Sequence, residues 1–249
     1  MQVIALYNIK GGVGKTSTAV NLAAASADSG MSTLLWDLDA QGNATWLLGG
    51  QRDRRGKPKQ LLTGKMPAGR LIQPTNIEHL DLLGSHFSAR HTDVVMERLG
   101  RRNRHWLTEM LSSFSESYRV IILDCPPSLS RLIEQVFTNV DIALVPVVPA
   151  PLSLHSFEQV QQFWKKKSLP GKRLKPFFSM VDRNRRQHRE WLYRPPEPLR
   201  SRLLPFIPYH ADIEAMGMQR APVSRFAPDS PAASGYRRLW RAVWQQLED

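Results

Sequence analysis

A glycine-rich segment between a short apolar run and a helix-forming stretch constrains this chain most. Residues 3–7 are mostly apolar, the next nine read Asn-Ile-Lys-Gly-Gly-Val-Gly-Lys-Thr, and residues 16–27 are rich in alanine. This order predicts a buried strand, a tight loop and a helix. Glycines let backbone N–H groups of such a loop turn toward a bound phosphate, and the helix dipole adds to the attraction. A structural turn without a ligand is the alternative, and the flanking strand and helix argue against it.

Continuous apolar runs recur along the chain and alternate with helix-like segments, a pattern typical of a parallel sheet covered on both faces. We expect an α/β fold made of one domain over residues 1–249. Because the first strand begins at once, no N-terminal DNA-reading domain is expected. The predicted strands are 3–7, 33–36, 80–83, 120–123, 143–148 and 176–180, and the predicted helices are 16–27, 104–113, 156–167 and 233–247, with residues 50–70 as irregular surface.

Two further loops carry aspartates directly after predicted strands. One reads Asp37-Leu38-Asp39, and the other begins at Asp124. In a parallel sheet both loops leave at the carboxyl edge, where the glycine-rich loop also lies. Carboxylates at that edge can hold the water shell of a metal ion or orient an attacking water. Each aspartate alone could instead cap a helix, but three loops at one edge favour a single site.

Cysteine usage and hydropathy exclude several classes of protein. The single cysteine, Cys125, rules out an internal disulfide and a multi-cysteine metal site within one chain. No apolar run reaches the roughly 18–20 residues that a membrane-spanning helix needs. The N-terminus lacks the basic start and small-residue cleavage site of a signal peptide. A cytoplasmic location is therefore expected.

Positive charge is concentrated in the second part of the chain. The net charge is +12, and residues 1–150 hold 16 Lys and Arg against 13 Asp and Glu, whereas residues 151–249 hold 18 against 9. Such asymmetry indicates a polyanionic partner, either nucleic acid or an anionic membrane, unless it merely aids solubility. In the last predicted helix, apolar residues from Tyr236 to Leu247 recur at helical spacing, which favours core packing over a membrane anchor.

The three loops together resemble those of the ParA/MinD family of deviant Walker P-loop NTPases. The resemblance implies slow hydrolysis of ATP, with ATP and Mg²⁺ bound at the site. It also implies an ATP-bound homodimer in which Lys10 reaches the nucleotide of the other subunit. It implies catalytic roles for Lys10, Lys15 and Asp39, with Asp39 orienting the attacking water. The implied ATP-binding set is Lys10, Gly11, Gly12, Val13, Gly14, Lys15, Thr16 and Ser17, with Met180, Asp182 and Pro208 around the adenine; the implied metal set is Thr16, Asp37 and Asp124.

Within that family, the sequence favours a nucleoid-binding ParA-like branch. Residues 165–202 hold 13 Lys and Arg against 3 acids, and the chain after the closing helix ends in acidic residues rather than a basic amphipathic tail. Exposed cations suit phosphate contacts without base specificity. The DNA-binding set we predict is Lys165, Lys166, Lys167, Arg183, Arg185, Arg186, Arg189, Arg220 and Arg225.

The implied partners are nonspecific DNA and an adaptor protein that stimulates the ATPase and links it to a cargo, with no integral membrane contact. Residues 177–190 resemble those of a smaller branch that spaces carboxysomes over the nucleoid, the McdA type. Two alternatives stay open: a MinD-like ATPase that works on the membrane surface at a division site or pole, and a small-molecule ligase on the same scaffold.

Overall fold

The computed structural model describes residues 1–51, 68–85, 105–169, 173–200 and 203–248. These residues form a seven-stranded sheet in the order β3-β4-β2-β5-β1-β6-β7. Every neighbouring pair is parallel except the edge pair of β3 and β4. The strands are β1 (Gln2–Leu6), β2 (Thr33–Asp37), β3 (Ile72–Pro74), β4 (Leu80–Leu83), β5 (Val120–Asp124), β6 (Ile142–Val147) and β7 (Leu174–Phe178).

Helices cover the sheet on both faces, so the predicted α/β fold with a mostly parallel sheet is confirmed. In the described parts of the chain they are α1 (Lys15–Asp28), α2 (Asn43–Leu47), α3 (Trp106–Ser112), α4 (Arg131–Asn139), α5 (Pro151–Lys166), α6 (Arg186–Tyr193), α7 (Glu197–Arg200), α8 (Ala211–Gln219), α9 (Val223–Phe226) and α10 (Pro231–Glu248), with a 3₁₀ turn at Ala68–Leu71.

Two apolar clusters hold the layers together, one on each face of the sheet. Trp36, Phe137 and Trp164 belong to the cluster under α3, α4 and α5. Leu35 and Trp240 belong to the cluster under α1, α2 and α8 to α10. Because β2, β5 and β6 are buried along their whole length, their sequences read as continuous apolar runs rather than alternating ones. This burial holds the carboxyl ends of the central strands in fixed register.

The closing helix α10 packs its apolar stripe inward, as its spacing predicts. Tyr236, Leu239, Trp240 and Val243 are all at most 4% exposed and lie in the cluster shared with α1. Gly235 permits a close approach, since a Cβ there would lie 3.1 Å from Cδ of Pro208. In the described part of the chain, no helix combines the length and the hydropathy that crossing a membrane requires.

Several elements differ from the sequence prediction. The last strand ends at Phe178 rather than residue 180, because the chain turns at Met180, whose φ of 55° lies outside the strand region. The antiparallel strand β3 and the short helices α2, α4 and α6 to α9 were not predicted. Of the segment 50–70 that we expected to be irregular, residues 68–70 lie in a 3₁₀ turn, and 52–67 lie outside the described residues.

Candidate functional site

The glycine-rich loop joins β1 to α1 at the carboxyl edge of the sheet. Gly12 and Gly14 have φ angles of 69° and 89°, in the left-handed region that side-chain-bearing residues rarely adopt. Gly14 is also the N-cap of α1 and offers no side-chain hydrogen bond to the first turn. The first N–H groups of α1 therefore have no side-chain cap, which suits an anion-binding loop.

Asn8 fixes this loop to the neighbouring strand. It is fully buried, its Nδ2 donates to the carbonyl oxygen of Pro146 at 2.8 Å, and its Oδ1 accepts from the backbone N–H of Lys10 at 3.0 Å. Sequence reasoning did not assign Asn8 a role. A polar residue directly after an apolar strand, where burial demands partners, is the signal that could have identified it.

Lys15 lies under the loop, with its side chain only 7% exposed. Its Nζ donates to the carbonyl oxygen of Lys10 at 2.9 Å. Burial lowers the pKa of the Lys15 ammonium, and the nearby carboxylates of Asp124 and Asp39 oppose this shift. Lys10 itself is exposed. The two lysines of the motif thus differ: Lys15 is built into the site, and Lys10 extends to its outer surface.

Asp124 is a buried carboxylate with unsatisfied oxygens. It is 1% exposed, and neither oxygen has a hydrogen-bond partner among the described residues. Burial raises the pKa of this carboxyl well above its usual range, and the charge of Asp37 raises it further. The Thr16 hydroxyl lies near enough to lower that pKa in part, although it forms no hydrogen bond of good geometry. Such a carboxylate requires a cation or a proton.

Asp37 stands opposite Asp124 in the register of β2 and β5, but its oxygens are satisfied. Oδ2 accepts from the backbone N–H of Thr45 at 2.8 Å and from its hydroxyl at 2.7 Å, and Oδ1 accepts from the N–H of Asp39 at 3.1 Å. Burial, as the largest cause, raises the pKa of Asp37 to about 6 against these hydrogen bonds. Asp37 therefore anchors α2, and its role at a metal stays a prediction.

Asp39 is held at the rim of the same edge, partly exposed. Its Oδ1 accepts from the N–H of Gln41 at 2.9 Å, and its carbonyl oxygen accepts from the hydroxyl of Ser85 at 2.6 Å. The N–H of Ser85 donates in turn to Oγ1 of Thr45 at 2.8 Å. Ser85 and Thr45 thus tie Asp39 and Asp37 into one hydrogen-bonded unit, which sequence spacing gave no means of finding.

The loop after β7 packs directly on the glycine-rich loop. A Cβ at Gly14 would lie 2.9 Å from Oγ of Ser179, so only glycine fits without movement of Ser179. Val181 donates its N–H to the carbonyl of Ile207 at 3.0 Å and pairs with Pro208 in a parallel bridge. The structure therefore brings Met180, Asp182 and Pro208 together beside the loop, and their contact with adenine stays a prediction.

The predicted DNA-binding residues do not form one continuous group. The segment Arg183–Arg189 follows β7 at the carboxyl edge, whereas Lys165–Lys167 lie at the other end of α5, toward the amino edge where β7 begins. Arg220 and Arg225 belong to the opposite helical layer, where Arg220 stacks 5.3 Å from the ring centre of Trp46. All nine side chains are exposed, and DNA binding by them stays a prediction.

Comparison with known proteins relates this chain to a family. A family profile described as an AAA domain, AAA_31, matches residues 1–175. The chromosome partitioning protein ParA of Myxococcus xanthus is 35% identical over 161 residues, which cover 64% of this chain and 56% of that protein. The matched region thus spans little more than half the length of this relative.

Solved structures share the fold over nearly the whole chain. A putative plasmid partition protein of Borrelia burgdorferi bound to AMPPNP has a TM-score of 0.82 at 20% identity, covering 98% of this chain and 99% of that one. Cobyrinic acid a,c-diamide synthase of Mycobacterium smegmatis with ADP and magnesium has a TM-score of 0.81 at 23% identity, covering 100% and 96%.

The septum site-determining protein MinD of Pyrococcus horikoshii with Mg-ADP has a TM-score of 0.78 at 21% identity, covering 97% of this chain and 95% of that one. At these identities the structural likeness establishes the fold alone. The family profile covers well over half of the chain and agrees with the motifs at residues 10–16, 37–43 and 124–128. This chain is therefore a member of the AAA_31 family, within the ParA/MinD group of deviant Walker P-loop proteins.

Proposed function

We propose that this chain is a magnesium-dependent ATPase whose nucleotide lies on the loop of residues 10–16. The observation that carries the proposal is that two buried groups, the Lys15 ammonium and the Asp124 carboxyl with its unsatisfied oxygens, lie beneath a loop with uncapped N–H groups. A phosphate above Lys15 and a cation beside Asp124 would satisfy both. Relatives with the same fold bind AMPPNP or Mg-ADP, which supports this assignment.

Different residues of the site would bind the phosphates and the magnesium ion. Backbone N–H groups of Gly11 to Thr16 would bind the phosphates, and Lys15 would place its charge on them. Asp124 and the Thr16 hydroxyl would hold the magnesium ion, which neutralises charge on the phosphates. Mg²⁺ is usually held by one or two carboxylates together with substrate phosphates.

Hydrolysis needs a water in line with the terminal phosphate. We assign its orientation to Asp39, which is partly exposed at the rim and held through its backbone by Ser85. Lys10, exposed on the outer surface of the loop, would reach the nucleotide of a second subunit. Turnover would then require a dimer.

The test of the ATPase proposal is phosphate release with and without Mg²⁺. We expect slow turnover that EDTA abolishes and that Asp124→Asn reduces by at least about 100-fold, because the amide cannot balance the charge of a cation. Asp229→Asn, an exposed carboxylate before α10, is the matched control and should retain the native rate. Turnover in EDTA, or a native rate in Asp124→Asn, would contradict the proposal.

We further propose that the ATP-bound dimer binds DNA without sequence preference and positions or segregates a cargo over the nucleoid, in the cytoplasm. The name of the Myxococcus relative, a chromosome partitioning protein, supports this assignment. So does the charge excess in residues 151–249. An adaptor protein would choose the cargo and stimulate hydrolysis. Plasmids, chromosome regions and carboxysomes are the cargo classes, with residues 1–249 acting as one ATPase domain.

A MinD-like role on the membrane surface is the second candidate, since a MinD structure shares the fold. Membrane-surface helices need a free apolar face. The apolar face of α10 is buried against the core, which favours DNA. A ligase role is third, on the fold likeness to the diamide synthase alone.

Cosedimentation with plasmid DNA and with anionic liposomes, each with ATP and with ADP, separates the first two candidates. We expect ATP-dependent sedimentation with DNA and little with liposomes. Sedimentation with liposomes but not DNA would replace this proposal with the membrane role. ATP turnover that required an added carboxylic acid and ammonia or glutamine would indicate the ligase.

A further inference from the structure

Helix α10 carries a row of arginines on its outer face. Arg237, Arg238 and Arg241 are all exposed, and their spacings of three and four residues place them side by side on one face of the helix. Residues 231–247 contain these three cations and no acidic residue. The opposite face of α10 is the buried apolar stripe, so the arginines have no role in the core.

These guanidinium groups retain most of their hydrogen-bonding capacity. One nitrogen of Arg237 donates to the carbonyl of Pro228 at 2.8 Å, and one of Arg238 donates to the hydroxyl of Ser234 at 2.8 Å. Nε of Arg241 lies 3.4 Å from the carbonyl oxygen of Arg237. No carboxylate pairs with any of the three within the part of the chain that the structure describes. Since arginine has five N–H donors, each can still bind a phosphate in a bidentate manner.

Several cations identified from the sequence are partly neutralised by neighbouring carboxylates. Arg185 pairs with Asp182 at 3.4 Å, and Arg186 pairs with Glu190 at 2.7 Å. Lys167 and Arg225 pair with Glu134 and Asp28 in the same way; Arg225 lies in the same layer as α10. A cation with a nearby carboxylate presents a weaker field to a polyanion than an unpaired one does. The unpaired arginines of α10 therefore attract a polyanion more strongly than these four paired cations do.

The choice between a lipid surface and DNA follows from the other face of the helix. An amphipathic helix that lies in a membrane interface inserts its apolar face among the lipid chains. Here Tyr236, Leu239, Trp240 and Val243 are committed to the core, and α10 contributes none of the large exposed apolar side chains of the described residues. A purely cationic face suits a phosphate backbone that is contacted without insertion.

We propose that Arg237, Arg238 and Arg241 form a DNA-binding surface that contacts the phosphates of duplex DNA without reading bases. This inference rests on the proposed function and adds a site outside the set Arg183–Arg189. In a dimer two copies of the surface would contact one duplex, so the affinity for DNA would increase because the two binding sites are linked.

The experiment measures the salt dependence of DNA binding in the presence of ATP for four proteins. They are the native chain, the triple variant Arg237→Gln/Arg238→Gln/Arg241→Gln, the triple variant with Lys at the same positions, and Arg70→Gln. Each lost phosphate contact lowers the log–log slope by about 0.9. We expect the glutamine variant to lose about 2–3 units of slope per subunit, the lysine variant to keep the native slope, and Arg70→Gln to keep it also.

Arg70 is an exposed cation in the 3₁₀ turn before edge strand β3, so it controls for loss of charge elsewhere. Thermal unfolding of each variant checks that the fold is retained. A native slope in the glutamine variant would overturn the inference, and so would an equal loss per charge in Arg70→Gln. A loss confined to liposome binding would overturn it in favour of lipid. If the native chain bound no DNA with ATP, both the proposed DNA-binding function and this inference would fail. If the native chain bound DNA and the glutamine variant kept the native slope, only the inference would fail.

Discussion

The carboxyl edge of the sheet and the outer basic surfaces use charge in opposite ways. At the edge, Lys15, Asp37 and Asp124 are at most 7% exposed, and hydrogen bonds fix the side chains of Lys15 and Asp37. On α6 and α10 the arginines are exposed and bonded mainly to their own helix and the adjoining loops. A buried charge acts through one exact position, whereas exposed charges act through their sum. We therefore expect almost any substitution in the first region to reduce activity, whereas the second region should keep its function when its charges are rearranged.

The largest expected effect separates the two lysines of the loop. Lys15→Ala removes a buried charge that we assign to the phosphates of ATP. The binding of ATP, measured by calorimetry, should therefore become weaker by about 2–5 kcal/mol. Lys10→Ala removes an exposed side chain and should retain most of the ATP affinity while losing dimer formation and turnover.

Sizing by light scattering with ATP and Mg²⁺ checks the dimer. If Lys10→Ala formed a normal dimer with a normal rate, the assignment of Lys10 to the second subunit would be wrong.

Asp39→Ala tests the rim of the site rather than its base. Loss of the water-orienting carboxylate should reduce turnover by about 10²–10⁴-fold, since the phosphate contacts stay in place and only the chemical step is affected. The variant should accumulate as a persistent ATP-bound dimer in size-exclusion chromatography. A monomer, or hydrolysis at the native rate, would count against this role.

The buried Asp124 predicts a cost to stability in the absence of ligands. Burial raises its folded pKa, so the contribution to stability is present below the unfolded pKa of about 3.9 and is lost as pH rises through the folded value. In EDTA and without nucleotide, the free energy of unfolding should fall as pH rises above about 4. Asp124→Asn should flatten this fall and, where the native carboxyl is ionised, be more stable by about 1–3 kcal/mol.

Urea unfolding at several pH values measures this pH dependence of the free energy of unfolding, with Asp229→Asn as the exposed control. A native pH dependence in Asp124→Asn would show that another group carries the effect.

The sequence predicted the buried edge better than the contacts that build it. An apolar strand followed by glycines and a helix has few structural solutions, and aspartates after parallel strands must meet at one edge, so the fold and the approach of the three loops could be predicted. Ser85 could not, because its bond to the carbonyl oxygen of Asp39 joins positions 46 residues apart in sequence. Thr45 lies only eight residues after Asp37, but its spacing alone does not show that its N–H and hydroxyl both bind that carboxylate. The antiparallel strand β3 is three residues long, too short to leave a pattern.

The basic surfaces were harder to predict for a different reason. Charge counting identifies an excess of cations but not which of them are paired or which edge they occupy. Lys165–Lys167 and Arg183–Arg189 are close in sequence, yet the direction of α5 and β7 separates them to opposite edges. Arg237, Arg238 and Arg241 fall in a helix identified by its apolar stripe, so its outward face received no role.

The smallest expected effect comes from the paired cations. Arg185→Gln/Arg186→Gln removes two charges that Asp182 and Glu190 already partly neutralise, so the salt slope of DNA binding should fall by at most about 2 units, and by less than in the α10 variant. Titrations at three salt concentrations compare the two. A larger loss here than on α10 would reverse the order of the two surfaces.

The central claim is that the buried edge controls the exposed surface through the nucleotide. Its most direct test is the affinity of the native chain and of Asp39→Ala for one DNA duplex, at fixed salt and Mg²⁺, with ATP, with ADP and without nucleotide. Of the three nucleotide states, the account predicts tight DNA binding only with ATP. The native chain should lose this binding as it hydrolyses the ATP, whereas Asp39→Ala should retain it. Equal affinity in all three nucleotide states would contradict it.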